Sequence, residues 1–227
     1  MKIGVLGATG PAGKGLAARL ASVGHEVIAG SRDPVRAEAA AAELRERWGA
    51  RVDGLKAGSN ADAASGGELG VLAVPWQGAL DTARTHADAL AGKVVIAMAN
   101  GLEKKGREFR AILPEEGSVS MAVQAAVPEV RIVAAFHLVP AAAFGDLDHA
   151  MESDVIACGD DDAARTTVME LITAIPDLRA FDGGSLVNAV GIEAFAAMLL
   201  TINLRHRGKA ALRLLGVEGY PRPETPA

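Results

Sequence analysis

A short apolar run turns straight into a glycine loop at the start of the chain: Ile3-Gly4-Val5-Leu6, then Gly7-Ala8-Thr9-Gly10-Pro11-Ala12-Gly13. A strand that feeds a helix through spaced glycines is the entry unit of a nucleotide-binding parallel sheet. Its backbone N–H groups approach a pyrophosphate, and the helix N-terminus adds about half a unit of positive charge. In such a turn Gly7 permits the tight bend and Gly10 keeps a side chain out of the phosphate's path. Gly13 lets the helix lie close to the strand. Thr9, Pro11 and Ala12 complete the loop. The spacing is G-x-x-G-x-x-G, not the commoner G-x-G-x-x-G, so the loop alone also fits an ordinary strand-to-helix turn.

A second position narrows the ligand. In NAD enzymes the second strand ends in an Asp or Glu that binds the ribose hydroxyls. Here that strand runs out through Ala29-Gly30 into Ser31-Arg32. A carboxylate at this point repels a 2′-phosphate, whereas a hydroxyl and a guanidinium hold it. Arg36 follows one helical turn later and reaches the same group. The expected cofactor is therefore NADP(H). Two plainer readings stand beside this one. Arg32 and Arg36 can be ordinary surface arginines, and Asp33 can be a displaced ribose acid. Asp33 is better placed as the N-cap of a helix that begins at Pro34.

The pattern beyond the loop fits a doubly wound α/β sheet of Rossmann type. Strands are expected at Lys2–Leu6, Glu26–Ala29, Gly54–Ala57, Gly70–Val74, Lys93–Met98 and Arg131–Phe136. Helices are expected at Gly13–Val23, Pro34–Trp48, Gly78–Leu90 and Met121–Ala126. The β-α-β-α alternation calls for parallel strands with helices on both faces. Glu103–Arg110 is charged and reads as a surface connection. Further on, Asp154–Cys158 and Leu178–Phe181 read as strands, Asp161–Ala174 as a helix, and Ser185 to His206 as one long helix. The change of pattern near residue 150 suggests a nucleotide-binding domain over 1–150 and a smaller C-terminal α/β domain over 151–227. Tyr220–Ala227, with three prolines, is expected to fray.

Composition removes several classes of function. A net charge of −5 argues against a nucleic-acid binder. The one cysteine, Cys158, forbids an internal disulfide and points to a reducing cytoplasm. No secretory leader is recognisable, because the first apolar run is too short. Leu186–Leu204 is apolar, yet it carries Asn188, Glu193 and Asn203, which suit a buried or interface helix better than a membrane span. The acid run Asp160-Asp161-Asp162 reads as helix capping and not as a metal site.

Ligands of open parallel sheets bind beyond the C-terminal strand ends. Three such ends stand out: Val74-Pro75-Trp76, Ala99-Asn100-Gly101 and His137-Leu138-Val139-Pro140. Val74 and Pro75 are placed to flank a nicotinamide or its ribose. The tyrosine–lysine pair of short-chain dehydrogenases is missing, since the only tyrosine is Tyr220. A hydride transfer that depends on positioning more than on acid–base groups is the chemistry left.

These residues, taken in order, resemble the small NADPH-dependent reductases of the deazaflavin coenzyme F420, found in archaea and actinobacteria. The similar stretches include Gly7–Gly15, Gly24-His25-Glu26-Val27, Gly30-Ser31-Arg32, Val74-Pro75-Trp76 and Val133–His137. They continue through Asp146-Leu147-Asp148, Cys158–Asp161, Asp182-Gly183-Gly184, Glu193 and Gly208-Lys209. The resemblance implies reversible hydride transfer between nicotinamide C4 and deazaflavin C5. It implies that Thr9, Ser31, Arg32 and Arg36 hold NADP. It sets His137 and Val139 against the deazaflavin, with His137 hydrogen-bonded to a ring carbonyl. It also implies that the long C-terminal helix closes the cleft and builds a homodimer. The chain departs from that family where Ala196-Ala197 replaces a Thr-Pro and where Asn100-Gly101 replaces an Asn-Pro. Two other readings stay open: an NADPH-dependent reductase of a flavin, a ferric chelate or an imine, and a non-catalytic NADP-sensing module.

Overall fold

The computed structural model describes residues 1–221, apart from the Ala142 side chain. The first half runs β1 (Lys2–Leu6), α1 (Pro11–Ser22), β2 (Glu26–Ser31), α2 (Pro34–Trp48), β3 (Leu55–Ser59), α3 (Asn60–Gly66) and β4 (Leu69–Leu72). It continues with α4 (Ala79–Thr85), α5 (Ala87–Leu90) and β5 (Val94–Ala97). The second half runs β6 (Leu102–Lys105), β7 (Glu108–Ala111), α6 (Val119–Ala126), β8 (Arg131–Ala134) and α7 (Ala141–Phe144). It closes with β9 (Ser153–Gly159), α8 (Asp162–Ala174), β10 (Leu178–Asp182) and α9 (Ala189–His206).

Eight strands form one sheet in the order β10-β9-β8-β5-β4-β1-β2-β3. From β3 across to β8 every pairing is parallel. The chain winds outward from β1 to β3, then returns to lay β4 on the other side of β1. That reversal opens a crevice at the C-terminal ends of β1 and β4, the place where such sheets bind ligands. At β8 the direction changes. β9 pairs antiparallel with β8, Val133 opposite Gly159 and Ala134 opposite Cys158, and β10 is parallel to β9. The sheet therefore continues across residue 150.

Local sequence explains the elements. β4 and β5 read Leu-Gly-Val-Leu and Val-Val-Ile-Ala and are buried throughout, as parallel strands covered on both faces must be. Alternate side chains feed two cores. Ile3, Val5, Ile96 and Val133 join one with Leu16 and Leu20 of α1. Leu6, Val95, Ala97 and Ala134 join the other with Val123 of α6 and Ile192 of α9. α2 starts as the sequence suggests, with the Asp33 carboxylate accepting from the Val35 N–H at 3.0 Å and Pro34 in the first turn.

Several expectations need correction. Gly78–Leu90 is two short helices, because the chain leaves the helical path at His86. Glu103–Arg110 is no loose connection: β6 and β7 pair as a hairpin turning at Gly106, whose φ of 61° suits a tight two-residue turn. α3 was absent from the sequence reading. Its start carries a capping box, Ser59 bonding the Asp62 N–H while Asp62 reaches back to the Ser59 N–H. Of the expected frayed tail, Tyr220 is tied to β10 by its N–H to Ala180 O at 2.7 Å. Residues 222–227 lie outside the described residues.

Candidate active site

The glycine loop leaves β1 as a tight bend. Gly7 takes φ +88°, and a Cβ there would lie 2.6 Å from Val74 Cγ1. The Gly7 N–H is held by Gly30 O at 3.1 Å and by Asn60 Oδ1 at 3.2 Å, and the Ala8 N–H by Gly30 O at 2.9 Å. α1 then begins at Pro11 with no side-chain cap and no acid in its first turn. Its first N–H groups, at Ala12 and Gly13, have no acceptor within the helix. Such a helix start suits an anionic group.

The loop borders a cavity of about 420 Å³. Gly7, Thr9 and Gly10 line it from one side, and Val74 and Pro75 from the end of β4. Ser31, Arg32 and Arg36 line it from the end of β2 and the first turn of α2. Arg32 and Arg36 are exposed and make no ion pair among the described residues, while Ser31 is buried. Asp33 also borders the space, but its carboxylate caps α2 and its N–H donates to Ser31 Oγ at 3.2 Å. Three expected loop residues sit elsewhere. Pro11 occupies the first turn of α1, and Gly13 is buried beneath the loop. A Cβ on Gly13 would lie 2.7 Å from Gly7 O and 2.9 Å from Ala73 Cβ. Ala12 faces a second cavity.

That second cavity, about 150 Å³, lies at the ends of β5 and β8. Met98 and Asn100 border it after β5, and His137 and Val139 after β8. Ala196, Leu199 and Asn203 of α9 cover it, helped by Ala210. Ala210 is held in place by both ends of the Asn203 amide. The wall is mostly apolar. Its polar side chains are two amides, Asn100 and Asn203, and one imidazole, a composition suited to a flat ring with few polar edges.

His137 is 6% exposed. It follows Phe136, a non-glycine residue at φ +65°, a left-handed conformation that costs of order 1 kcal/mol and often marks functional sites. Phe136 is held by packing against Phe144, with ring centroids 6.0 Å apart. Arg19 of α1 in turn donates to Phe144 O at 2.7 Å and to Asp146 O and His149 O at 2.8 and 3.0 Å. The helix that starts at the glycine loop thus also pins the segment behind the second cavity. Around His137, Nδ1 lies 3.1 Å from Asn100 Oδ1, and Asn100 Nδ2 donates to His137 O at 3.0 Å. Nε2 is buried with no hydrogen-bond partner among the described residues. Burial lowers the imidazole pKa to about 3, so the ring is neutral at physiological pH.

Two residues that border the cavities, Asn60 and Asn100, were not singled out from sequence. The Ser59-Asn60-Ala61-Asp62 capping signature was the signal for the first. Asn100 was visible only as part of a strand end. Other polar groups serve structure. Asp161 caps α8 by accepting from Ala164 N–H at 2.7 Å, and Asp160 accepts from Leu186 N–H at 2.9 Å. Burial first, and then the Asp182 charge, push the Cys158 thiol up to about 11, which leaves it unreactive.

The chain is similar to known proteins. Residues 2–101 match the family described as NADP oxidoreductase, coenzyme F420-dependent. The chain is 34% identical to the F420-dependent NADP reductase of Methanocaldococcus jannaschii, over 96% of this chain and 100% of that one. It is 36% identical to the enzyme of the same name from Methanothermobacter marburgensis, over 91% and 94% of the two chains. A solved structure from Arthrobacter sp. FB24, provisionally named an F420-dependent NADP reductase, superposes with a TM-score of 0.74 at 30% identity. The match covers 91% of this chain and 93% of that one. An imine reductase from Bacillus cereus shares the fold at 15% identity, with a TM-score of 0.62.

Proposed function

The chain belongs to the family of F420-dependent NADP reductases, and from that premise we propose that its two cavities are the two halves of one hydride-transfer site. The protein is an oxidoreductase acting between NADP(H) and coenzyme F420. The observation that carries the residue assignments is the adjacency of the two cavities across the start of α1. The loop borders one, and Ala12, two residues past Gly10, borders the other.

The residues present fit a nicotinamide dinucleotide. The uncapped start of α1 and the close-packed glycines form a cradle that side chains would fill, and Arg32 and Arg36 lie at its rim with no ion pair among the described residues. In the proposed arrangement Gly7, Thr9, Gly10 and Gly13 shape the pyrophosphate site, with Pro11 and Ala12 setting the first turn of α1. Ser31, Arg32 and Arg36 select the 2′-phosphate by charge. Val74 and Pro75 direct the nicotinamide toward the second cavity, where His137 and Val139 hold the deazaflavin. When both are bound, the pair supplies the chemistry, a hydride passing between nicotinamide C4 and deazaflavin C5. The protein's part is to bring the rings together, keep water out and hold their polar edges. Alignment of this kind can lower a barrier by several kcal/mol without an acid or base.

We further propose that residues 151–227 act as the cleft-closing part through α9, and that the free face of α9 makes a homodimer. Met198 and Ile202, 56% and 39% exposed, lie on that face one helical turn apart. Leu186–His206 is long and apolar enough to cross a membrane. However, Glu193 within it is buried against α6, and an interface between subunits suits it better. A reducing cytoplasm suits the lone buried thiol.

The deciding experiment follows NADPH oxidation with purified F420 under the deazaflavin absorbance band. Bleaching in step with NADPH consumption is expected. Turnover with a flavin, a ferric chelate or an imine but none with F420 would overturn the reading. So would tight NADPH binding with no acceptor reduced.

A further inference from the structure

We propose that Asn60 is a specificity-determining residue of the nucleotide cavity: its side-chain NH₂ donates to the phosphate oxygens on the 2′ edge of the adenosine ribose. This rests on the reading of that cavity as the dinucleotide half of the site.

The amide of Asn60 can be oriented in only one way. The Gly7 N–H approaches its oxygen position at 3.2 Å. A backbone N–H only donates, so the carbonyl end of the amide must face it. The NH₂ end is left over, and it meets no acceptor among the described residues. Asn60 as a whole is only 5% exposed. Yet its Nδ2 is not one of the enclosed, partnerless atoms, which are His25 Nε2, Trp48 Nε1, His137 Nε2 and Ser153 Oγ. A reachable amide nitrogen on an otherwise buried residue opens where that residue meets free space. Asn60 meets it at the cavity of about 420 Å³ that the glycine loop, Ser31, Arg32 and Arg36 also border.

Local structure gives this amide no other duty. α3 is capped by Ser59 and Asp62, whose reciprocal hydrogen bonds leave the Asn60 side chain out. Its station fits a ribose. β2 and β3 run side by side with Ser31 opposite Ser59, so Asn60 emerges next to the Ser31-Arg32 end. A Cβ on Gly30 would lie 3.1 Å from Asn60 Oδ1, so the bare backbone of Gly30 lets the amide sit close to β2. The side chain thus stands between the glycine loop, which it holds through Gly7, and the proposed 2′-phosphate site. A dinucleotide with its pyrophosphate on the loop and its 2′-phosphate at Ser31 and Arg32 lays its adenosine ribose across this point. An NH₂ end is a donor only, and it binds an anionic oxygen more strongly than a hydroxyl. A carboxylate here would do the reverse, accepting from ribose hydroxyls and repelling a phosphate, as the acid of NAD enzymes does.

Asn60→Asp tests this by changing NH₂ to an anionic oxygen while keeping an acceptor for the Gly7 N–H. Affinities are titrated for NADPH and NADH, and for adenosine 2′,5′-bisphosphate and adenosine 5′-monophosphate. The variant should bind NADPH and the bisphosphate about thirtyfold more weakly, and NADH and the monophosphate should change less than about threefold. Asn60→Ala removes the donor and the Gly7 tether together. It should cost about tenfold for the two 2′-phosphorylated ligands, with a smaller loss for the other two. If the aspartate variant fails to fold, the wild type decides by NMR. The Asn60 side-chain NH₂ resonances should move downfield with the bisphosphate and stay in place with the monophosphate. Equal losses for NADPH and NADH in Asn60→Asp overturn the proposal, as does an unchanged ratio between them. Amide resonances that respond alike to both adenosine nucleotides also overturn it. A wild type that binds the bisphosphate no better than the monophosphate overturns the reading of the cavity, and the proposal with it. A wild type that prefers the bisphosphate, beside an aspartate variant with the same preference, refutes the part of Asn60 alone.

Discussion

Glu193 of α9 caps the start of α6 on Ser120: its Oε1 accepts the Ser120 N–H at 3.0 Å and the Ser120 hydroxyl at 2.7 Å, while Oε2 takes the Val119 N–H at 2.7 Å. The carboxylate is 1% exposed. Burial raises its pKa, and the hydrogen bonds it accepts from Ser120 and Val119 oppose that rise without cancelling it. The helix that covers the second cavity is thus fastened one turn before its first cavity residue, Ala196.

Glu193→Ala would leave two backbone donors and a hydroxyl unpartnered in the core. We expect a loss of about 3 kcal/mol in stability, read as a lower denaturant midpoint. Affinity for the deazaflavin should fall more than affinity for NADPH, because α9 borders only the second cavity. An unchanged midpoint would refute this role.

Arg32→Asp replaces a cation at the rim of the nucleotide cavity with an anion. NADPH binding should weaken by about 2 kcal/mol, or roughly thirtyfold, and NADH binding should change little. Fluorescence titration with both cofactors measures the ratio. Equal losses would mean that Arg32 does not read the 2′-phosphate.

Two glycines of the loop should separate under substitution. Gly13→Ala forces a Cβ to within 2.7 Å of Gly7 O, so it should lower both Tm and NADPH affinity. Gly10→Ala meets only Gly7 O at 3.8 Å, so Tm should hold while NADPH affinity drops. Loss of Tm in Gly10→Ala would contradict the open space seen there.

His137 has a folded-state pKa of about 3, below that of an unfolded histidine. Between those values the unfolded chain binds the extra proton, so stability falls as pH drops from about 6.5 toward 3, with a slope of up to ~1.4 kcal/mol per pH unit. Above about pH 6.5 this contribution is complete. Denaturant midpoints measured from pH 8 to pH 4 should show a flatter acid limb in His137→Gln. The pH profile of kcat/KM from 5 to 8 should contain no inflection from this residue.

The nucleotide half was legible because local rules and tertiary structure agree there. The glycines after β1, the Asp33-Pro34 start of α2 and the apolar runs of β4 and β5 all carry local signals, and the fold obeys them. The second half was less legible for physical reasons. Asn100 gains its role from His137, 37 residues later in sequence, and no local pattern encodes that pairing. The β6–β7 hairpin is written in charged residues whose faces look alike until Phe109 meets Thr201 of α9 at 2.8 Å. β9 reads as a buried strand from its apolar run, but its antiparallel direction rests on two residue pairs with β8 and on nothing in its own sequence. Asn60 was missed although its capping signature was present.

The two cavities are also separated in time. Every residue bordering the nucleotide cavity falls before position 76, whereas the second cavity needs α9 and Ala210. During synthesis at ~5–20 residues per second, the later elements emerge on the order of ten seconds after the earlier ones. On the proposed reading, every residue that borders the dinucleotide cavity has been made before the neighbouring pocket gains its roof, and the ring partner has no place to bind until α9 comes down.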